Sequence, residues 1–385
     1  MDRCLLCLAR LEGDALTEEH IIPQAIGGIF TTRRAICRTC NSKGGSSTEA
    51  ALTKRFETLS VFFDVIRDRG KEGPRIEVRD KATGTRYELD PGGNPVVAAN
   101  PTLWRDETGK KYVTISGPNE DEVRRRIRLY TKQDPATATL GSKRSVDEVS
   151  LELSVFTHGF EDEQILRCVA KMAASFAREV GVPLGPRSFG AAFIRGDPVA
   201  STVVGPVARD VVTASHPPET VTHGIVLRKD AGRNPLVAYV WLFDVCEFSV
   251  LLHPWLNSPA VNVGHKVDLA TGRAITGSYD WLTEPGELML WTQPFAMTPR
   301  AFNERMNHRM GDGWLGAERM KSFWIRRASS RSTRVFADML NAGVSEEEAV
   351  AAAQVEMEHW LRRSGTDRFM REIPRFPGFG VPPFG

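Results

Sequence analysis

No stretch of this chain is apolar for long enough to cross a bilayer, and its mean hydropathy is low at −0.26. A transmembrane helix, which needs about 20 such residues, is not expected. Net charge is scarce as well, since 50 basic side chains face 48 acidic ones and leave +2. That balance says nothing about nucleic acid, so only local charge can. No short repeat and no glycine-rich phosphate loop occurs, which sets aside repeat arrays and P-loop chemistry. The opening stretch MDRCLLCLARLEGD has an apolar patch that charge interrupts at once, with no small-residue cleavage site behind it. A secretory signal is not expected there, and a reducing cytoplasm is the expected compartment. Cysteine is rare, with six among 385 residues, so its placement carries information.

Four of the six form two CxxC pairs, Cys4 with Cys7 and Cys37 with Cys40, and 29 residues separate the pairs. Two thiolates at this spacing bind one ion from a tight knuckle, and two knuckles complete the tetrahedron that zinc prefers. A redox CxxC needs only one pair, and paired cysteines in a reducing compartment read as metal ligands before disulfides. With four thiolates committed, the ion has no open position, so it scaffolds and does not catalyse. Cys168 and Cys246 sit in the apolar runs QILRCVAKMAASFA and VWLFDVCEFSVLL and read as small buried hydrophobes.

Between the knuckles lies EEHIIPQAIGG. TEEHIIP predicts a short strand carrying Glu19 and His20, Gly27 and Gly28 supply a turn, and TTRRAIC predicts the returning strand. From Asn41 the pattern turns helical, with Ala50, Leu52, Phe56, Leu59, Phe63 and Ile66 near helical spacing.

The combination C-x2-C, EHIIP, GG and C-x2-C-N-S resembles the HNH endonucleases, whose active site is the ββα-metal fold, in the branch where two CxxC pairs bind zinc. The match covers roughly residues 1–60. The resemblance implies that His20 is the general base that takes a proton from water. It implies that Glu19 and Asn41 hold a catalytic divalent cation, Mg2+ or Mn2+, beside the structural zinc. Such an ion stabilises the charge that builds on phosphate and leaving oxygen, and a neutral imidazole suits proton removal near neutral pH. Strand alternation sends Glu19 and His20 to opposite faces, so the resemblance also implies a local bend that lets both reach the phosphate. One slot departs from the family: an asparagine nine residues before Asn41 is replaced by Thr32, leaving Thr31 or Thr32 to brace the loop through a hydroxyl. Residue by residue, alternatives stand: Glu18 is as acidic as Glu19, and Asn41 also suits a helix N-cap.

Beyond this, residues 71–118 alternate short strand-like runs with turns and predict a small antiparallel sheet. DEVRRRIRLYTKQ predicts a helix with a basic surface, ATATLGSKRS a linker and LELSVFTHG a strand. EDEQILRCVAKMAASFAREVG predicts a helix closed by Gly181, and THGIVLRKD and PLVAYVWLFDVCEFSVLL predict strands around the turn AGRN. His158, His216, His223, His253 and His265 show no ligand spacing and receive no catalytic role. Between Arg300 and Arg334, nine basic residues against three acidic ones give a local +6, with Trp314, Phe323 and Trp324 interleaved. Arg326, Arg327, Arg331 and Arg334 are the candidate nucleic-acid contacts, and a solvated helix face is the equal alternative. SEEEAVAAAQVEMEHWLRR opens with Ser345 and Glu348 at capping-box spacing, and the tail IPRFPGFGVPPFG reads as extended.

The expected class is α+β. The expected division is a zinc-clamped HNH domain over 1–70, a β-rich region with a basic helix over 71–140, an α+β core over 150–290 and a basic, mainly helical region over 291–385. The resemblance implies a nuclease acting on DNA, restrained by its larger part, in restriction or anti-phage defence. A regulatory partner protein, a guide nucleic acid or a signalling ligand is the expected input, with no membrane involved. The alternative class is a zinc-stabilised nucleic-acid-binding module without catalysis.

Overall fold

A computed structural model describes residues 3–44, 48–67, 73–79, 86–93, 95–97, 102–105, 107–109, 111–114, 124–125, 162–185, 187–197, 204–207, 212–214, 220–282 and 314–363. The fold is α+β, and its contacts gather into two units. Met1–Leu52 and His158–Gly385 form one, and Thr53–Thr157 forms the other.

The first unit opens with the knuckle around Cys4 and Cys7, where Leu8 takes φ 65° to turn the chain back. β1 (Glu19–His20) and β2 (Thr31–Thr32) pair antiparallel, Glu19 opposite Thr32 and His20 opposite Thr31. The turn between them is tight because Gly28 passes against Ile22, where a Cβ would lie 1.8 Å from the Ile22 carbonyl oxygen. α1 (Arg38–Gly44) starts inside the second CxxC, three residues before Asn41. Asn41 is therefore an interior helical residue and not an N-cap. α2 (Thr48–Arg55) leads the chain toward the second unit.

The second unit contains α3 (Glu57–Phe62), the antiparallel sheet β3 (Ile76–Arg79), β4 (Arg86–Leu89), β5 (Pro95–Val97), and the hairpin β6 (Thr102–Arg105) with β7 (Lys111–Thr114). The expected small antiparallel sheet is present. The single expected helix after Asn41 is broken at Phe56, where α2 gives way to α3. The linker ATATLGSKRS, the strand LELSVFTHG, the C-terminal tail and most of the basic helix DEVRRRIRLYTKQ lie outside the described residues.

Back in the first unit, α4 (Glu163–Glu179) and α5 (Phe189–Arg195) precede an antiparallel sheet. Its strands are β8 (Val204–Pro206), β10 (Thr222–Lys229), β11 (Gly232–Leu242), β12 (Cys246–Ser258), β13 (Val261–Asp268) and β14 (Arg273–Ile275), in the order β14-β13-β10-β11-β12-β8. The small pair β9 (Val212–Ala214) with β15 (Tyr279–Trp281) lies outside that order. β10 to β13 follow the Greek-key order, the fourth strand returning beside the first. Buried Lys229 ties that crossing, its Nζ donating to the carbonyls of Asp230, Gly232 and Ser258 at 2.6–2.8 Å.

Register assigns the two faces of this sheet. Val226, Val237, Tyr239 and Trp241 share one face with Val207, Val212 and Leu251, and Tyr279 and Trp281 pack on them. Ile225, Leu227, Ala238 and Val240 look the other way, toward α4. Because both faces are covered, the strands read as continuous apolar runs. PLVAYVWLFDVCEFSVLL is consequently not one strand but a hairpin. Phe243 and Asp244 take φ 56° and 57°, the left-handed pair a tight hairpin turn requires, without the usual Asn-Gly.

α6 (Trp314–Asn341) and α7 (Glu346–Arg363) form an antiparallel helical pair. The predicted capping box exists, with Ser345 Oγ 2.7 Å from a Glu348 carboxylate oxygen and accepting from the Glu348 N–H. Among the described residues, no helix is long and apolar enough to cross a membrane.

Candidate active site

The four knuckle sulfurs converge, all within 4.8 Å of one another. Tetrahedral zinc with bonds of about 2.3 Å places sulfurs about 3.8 Å apart, so the cluster is the right size for one ion. Backbone N–H groups of Cys7 and Cys37 point at Cys4 Sγ from 3.5 and 3.4 Å. Burial raises the Cys4 thiol, and burial with the neighbouring sulfurs raises Cys40. Four thiolates this crowded need a cation, and the donor set fits a closed structural zinc site.

Between the knuckles, strand alternation separates the two glutamates. Glu19 points inward and is 2% exposed. Its Oε1 lies 2.5 Å from Nζ of Lys171 on α4, an ammonium that also bonds Glu49 of α2. Burial holds the Glu19 carboxyl above its ordinary range, and Lys171 opposes that shift. The expected cation ligand is thus already paired with a fixed positive charge. The described backbone does not bring Glu19 and His20 to one face.

Glu18 lies on the other side. It is exposed, accepts from Thr31 Oγ1 at 2.8 Å and pairs with Arg33 at 3.4 Å. The Thr31 hydroxyl, then Arg33, then the nearby His20 hold its carboxyl below the usual range. His20 sits half-buried opposite Thr31. Asn41 reaches the same strand entrance, its Nδ2 lying 3.3 Å from Thr17 Oγ1 and from the Glu18 carbonyl. That leaves Oδ1 as the amide atom available to a ligand. The departure at Thr32 is also resolved: Thr31 braces Glu18, while Thr32 donates to Glu179 of α4 at 2.7 Å.

The sheet supports the site from behind. His223 Nε2 donates to the carbonyl of Ile26 at 2.6 Å, and its Nδ1 accepts from Phe243 N–H at 2.8 Å. Burial pushes this imidazole down to about 4, so it is neutral. Phe30, between the strands, stacks on His265 at 4.5 Å and meets the edge of Phe176. Arg178 donates to the Arg34 carbonyl at 3.1 Å. Lys171 and His223 are invisible to local motifs because Glu19 and Glu49, the partners of Lys171, and Ile26, which His223 ties to the sheet, lie more than 100 residues away. The signal available for Lys171 was a lysine in the middle of an apolar helix face, since a buried ammonium requires a counter-charge.

The basic stretch is deployed differently from expectation. Arg326 pairs with Asp268 and donates to Thr220, and Arg327 is 1% exposed under Trp360. Arg331 lies over the same ring at 4.8 Å, and only Arg334 of the four is exposed. Phe323 and Trp324 are buried, the latter stacked on Trp360, so neither offers a face to a base. α6 buries one side against Thr220, Asp244, Asp268 and Ala270 at the strand ends and turns and against Trp360 of α7, and that side contains arginines with their own carboxylate, carbonyl and aromatic partners.

No curated protein and no solved structure matches the chain. Residues 4–57 match the sequence model of the HNH endonuclease family, from the first knuckle through α2. The stretch that carries the cysteine cluster, His20 and Asn41 is therefore an HNH-type nuclease domain, within a chain most of which lies outside that match.

Proposed function

We propose that this protein is a metal-dependent endonuclease that hydrolyses phosphodiester bonds of DNA. The observation that supports the reading is that the Asn41 amide donates to the Glu18 carbonyl, two residues before His20 on the same strand entrance, inside the matched segment that carries the four-cysteine cluster. His20 is assigned as the base that takes a proton from the attacking water. The Glu18 carboxylate and Asn41 Oδ1 are the oxygens assigned to a Mg2+ or Mn2+ ion, which supplies charge stabilisation at the phosphate and the leaving oxygen. Glu19 receives a structural part, because Lys171 closes it off. Arg33 and Arg38, exposed beside Glu18 and Leu16, are assigned to backbone phosphates in place of the α6 arginines.

The test is plasmid DNA incubated with purified protein and Mg2+ or Mn2+, with and without chelator, beside His20→Ala. Metal-dependent nicking that His20→Ala abolishes supports the reading. Tight binding without cleavage under any metal supports the non-catalytic zinc module instead. A role in restriction or anti-phage defence, with the remainder of the chain receiving the restraining signal, rests on how much of the chain lies outside the nuclease segment. Phage plating on cells carrying the wild type and His20→Ala tests it, and equal plating would remove it.

A further inference from the structure

We propose that Lys171 is the positioning residue of this nuclease site, an inference that rests on the reading above. β1 is two residues long and pairs only with the equally short β2. A two-stranded ribbon of that size does not hold its own geometry in water. Its orientation must come from what grips its inner face. Lys171 is 2% exposed and grips Glu19, the neighbour of His20, while its second carboxylate, Glu49, comes from α2. Burial alone lowers an ammonium, but Glu19, Cys168 and Glu49 more than offset it, so Lys171 remains charged.

Alternation makes that grip decisive for chemistry. When Glu19 is held inward, His20 is turned outward by the backbone itself. Two turns further along α4, Glu179 takes the hydroxyl of Thr32, the residue opposite Glu19 in the ladder. Both strands are thus pinned to one helix that lies outside the matched residues 4–57. Arg178 and His223 hold backbone carbonyls of the following loop and the turn, whereas Lys171 holds the strand that bears the base. Lys171 touches neither substrate nor cation, and it acts through Glu19.

The test uses the full-length, zinc-loaded protein and compares Lys171→Met with Lys171→Arg. Lys229→Met serves as control, removing an equally buried ammonium that ties the β10–β13 crossing and not β1. At a temperature where every variant is folded, Lys171→Met should lose about 10²-fold in kcat with KM little changed, the size of effect a misplaced reacting group produces. Lys171→Arg should recover part of that loss, and Lys229→Met should keep the wild-type kcat. Hydrogen exchange gives a readout independent of cleavage. The Ile21 amide, which donates to the Phe30 carbonyl at 2.9 Å, should lose protection in Lys171→Met and retain it in Lys229→Met. Wild-type kcat and intact Ile21 protection in Lys171→Met would overturn the proposal, as would a loss that merely follows the folded fraction. If Lys171→Met does not fold, Glu19→Gln carries the same expectation at Ile21, and unchanged protection there would overturn it. A wild type that cleaves nothing would sink the nuclease reading alone, since the exchange result still judges the grip.

Discussion

Two regions of the first unit are held together by opposite means. The knuckle segment before Gly44 has only two-residue strands and a small apolar core around Leu5, Ile21, Ile26 and Ile36, and it draws on four converging sulfurs and on side chains reaching in from α4 and the sheet. The strands β10 to β13 depend on apolar burial over both faces, with Val226, Leu227, Val237 and Val240 fully enclosed. Each such side chain contributes about 1.5–3 kcal/mol by leaving water. The difference shows where each region fails: the first with its metal and its charge pairs, the second only when its core is opened.

The largest expected effect separates the regions outright. Cys37→Ser or Cys40→Ser should abolish zinc binding, unfold the knuckle segment and end cleavage, because binding and folding of such a site are one event. Freshly purified wild type should hold about one zinc per chain by elemental analysis. The strand signal in circular dichroism should persist in the mutants, and its loss in a single step would show that the two regions form one cooperative body.

Next come the chemical groups. His20→Ala should lower the rate by about 10²–10⁴-fold while zinc content stays whole, as for loss of a general base. Glu18→Ala should be partly rescued by raising Mg2+ or Mn2+. Glu19→Ala should instead lower the melting temperature by leaving buried Lys171 with Glu49 alone and should not respond to added metal. Rescue of Glu19→Ala in place of Glu18→Ala would return the ligand role to Glu19.

Acid should act through His223, the contact between sheet and turn. Its folded-state value of about 4 lies below the ordinary 6.5, so the unfolded chain binds more protons between these values. Stability therefore falls as pH is lowered from about 6.5 toward 4, by on the order of 3 kcal/mol from this group. Denaturant melts of the wild type and His223→Gln across that window should differ in slope, and parallel curves would remove His223 from the account.

The smallest effects concern the helical pair. Arg327→Ala should destabilise by roughly 2–3 kcal/mol through lost packing and the lost cation–π contact with Trp360. Arg334→Ala should be near neutral. Neither should change the salt dependence of DNA binding, whereas Arg33→Ala should lower that slope by about 0.9. A reduced slope for Arg327→Ala would restore α6 to the nucleic-acid interface.

Local pattern served well where chemistry is local. The CxxC pairs met as their spacing required, Ser345 and Glu348 formed their box, and Gly181 turned the chain after α4 at φ 83°. Pattern failed where a fold-wide partner decides. The Phe243–Asp244 turn was invisible because both its flanks are buried and therefore uniformly apolar. The α6 arginines read as a basic surface because Asp268 and Trp360, their partners, lie far along the chain.

By itself the sequence determined the spacing of the cysteine frame, the strand–turn–strand–helix order and a candidate set of Glu19, His20 and Asn41 with Glu18 as the alternative acid, since spacing of a few residues fixes which side chains can share an ion or a turn. Only the tertiary structure decided which glutamate faces the open side. A two-residue strand presents both directions equally, and it was a buried lysine on a distant helix, requiring a carboxylate partner, that took Glu19 and left Glu18 beside His20.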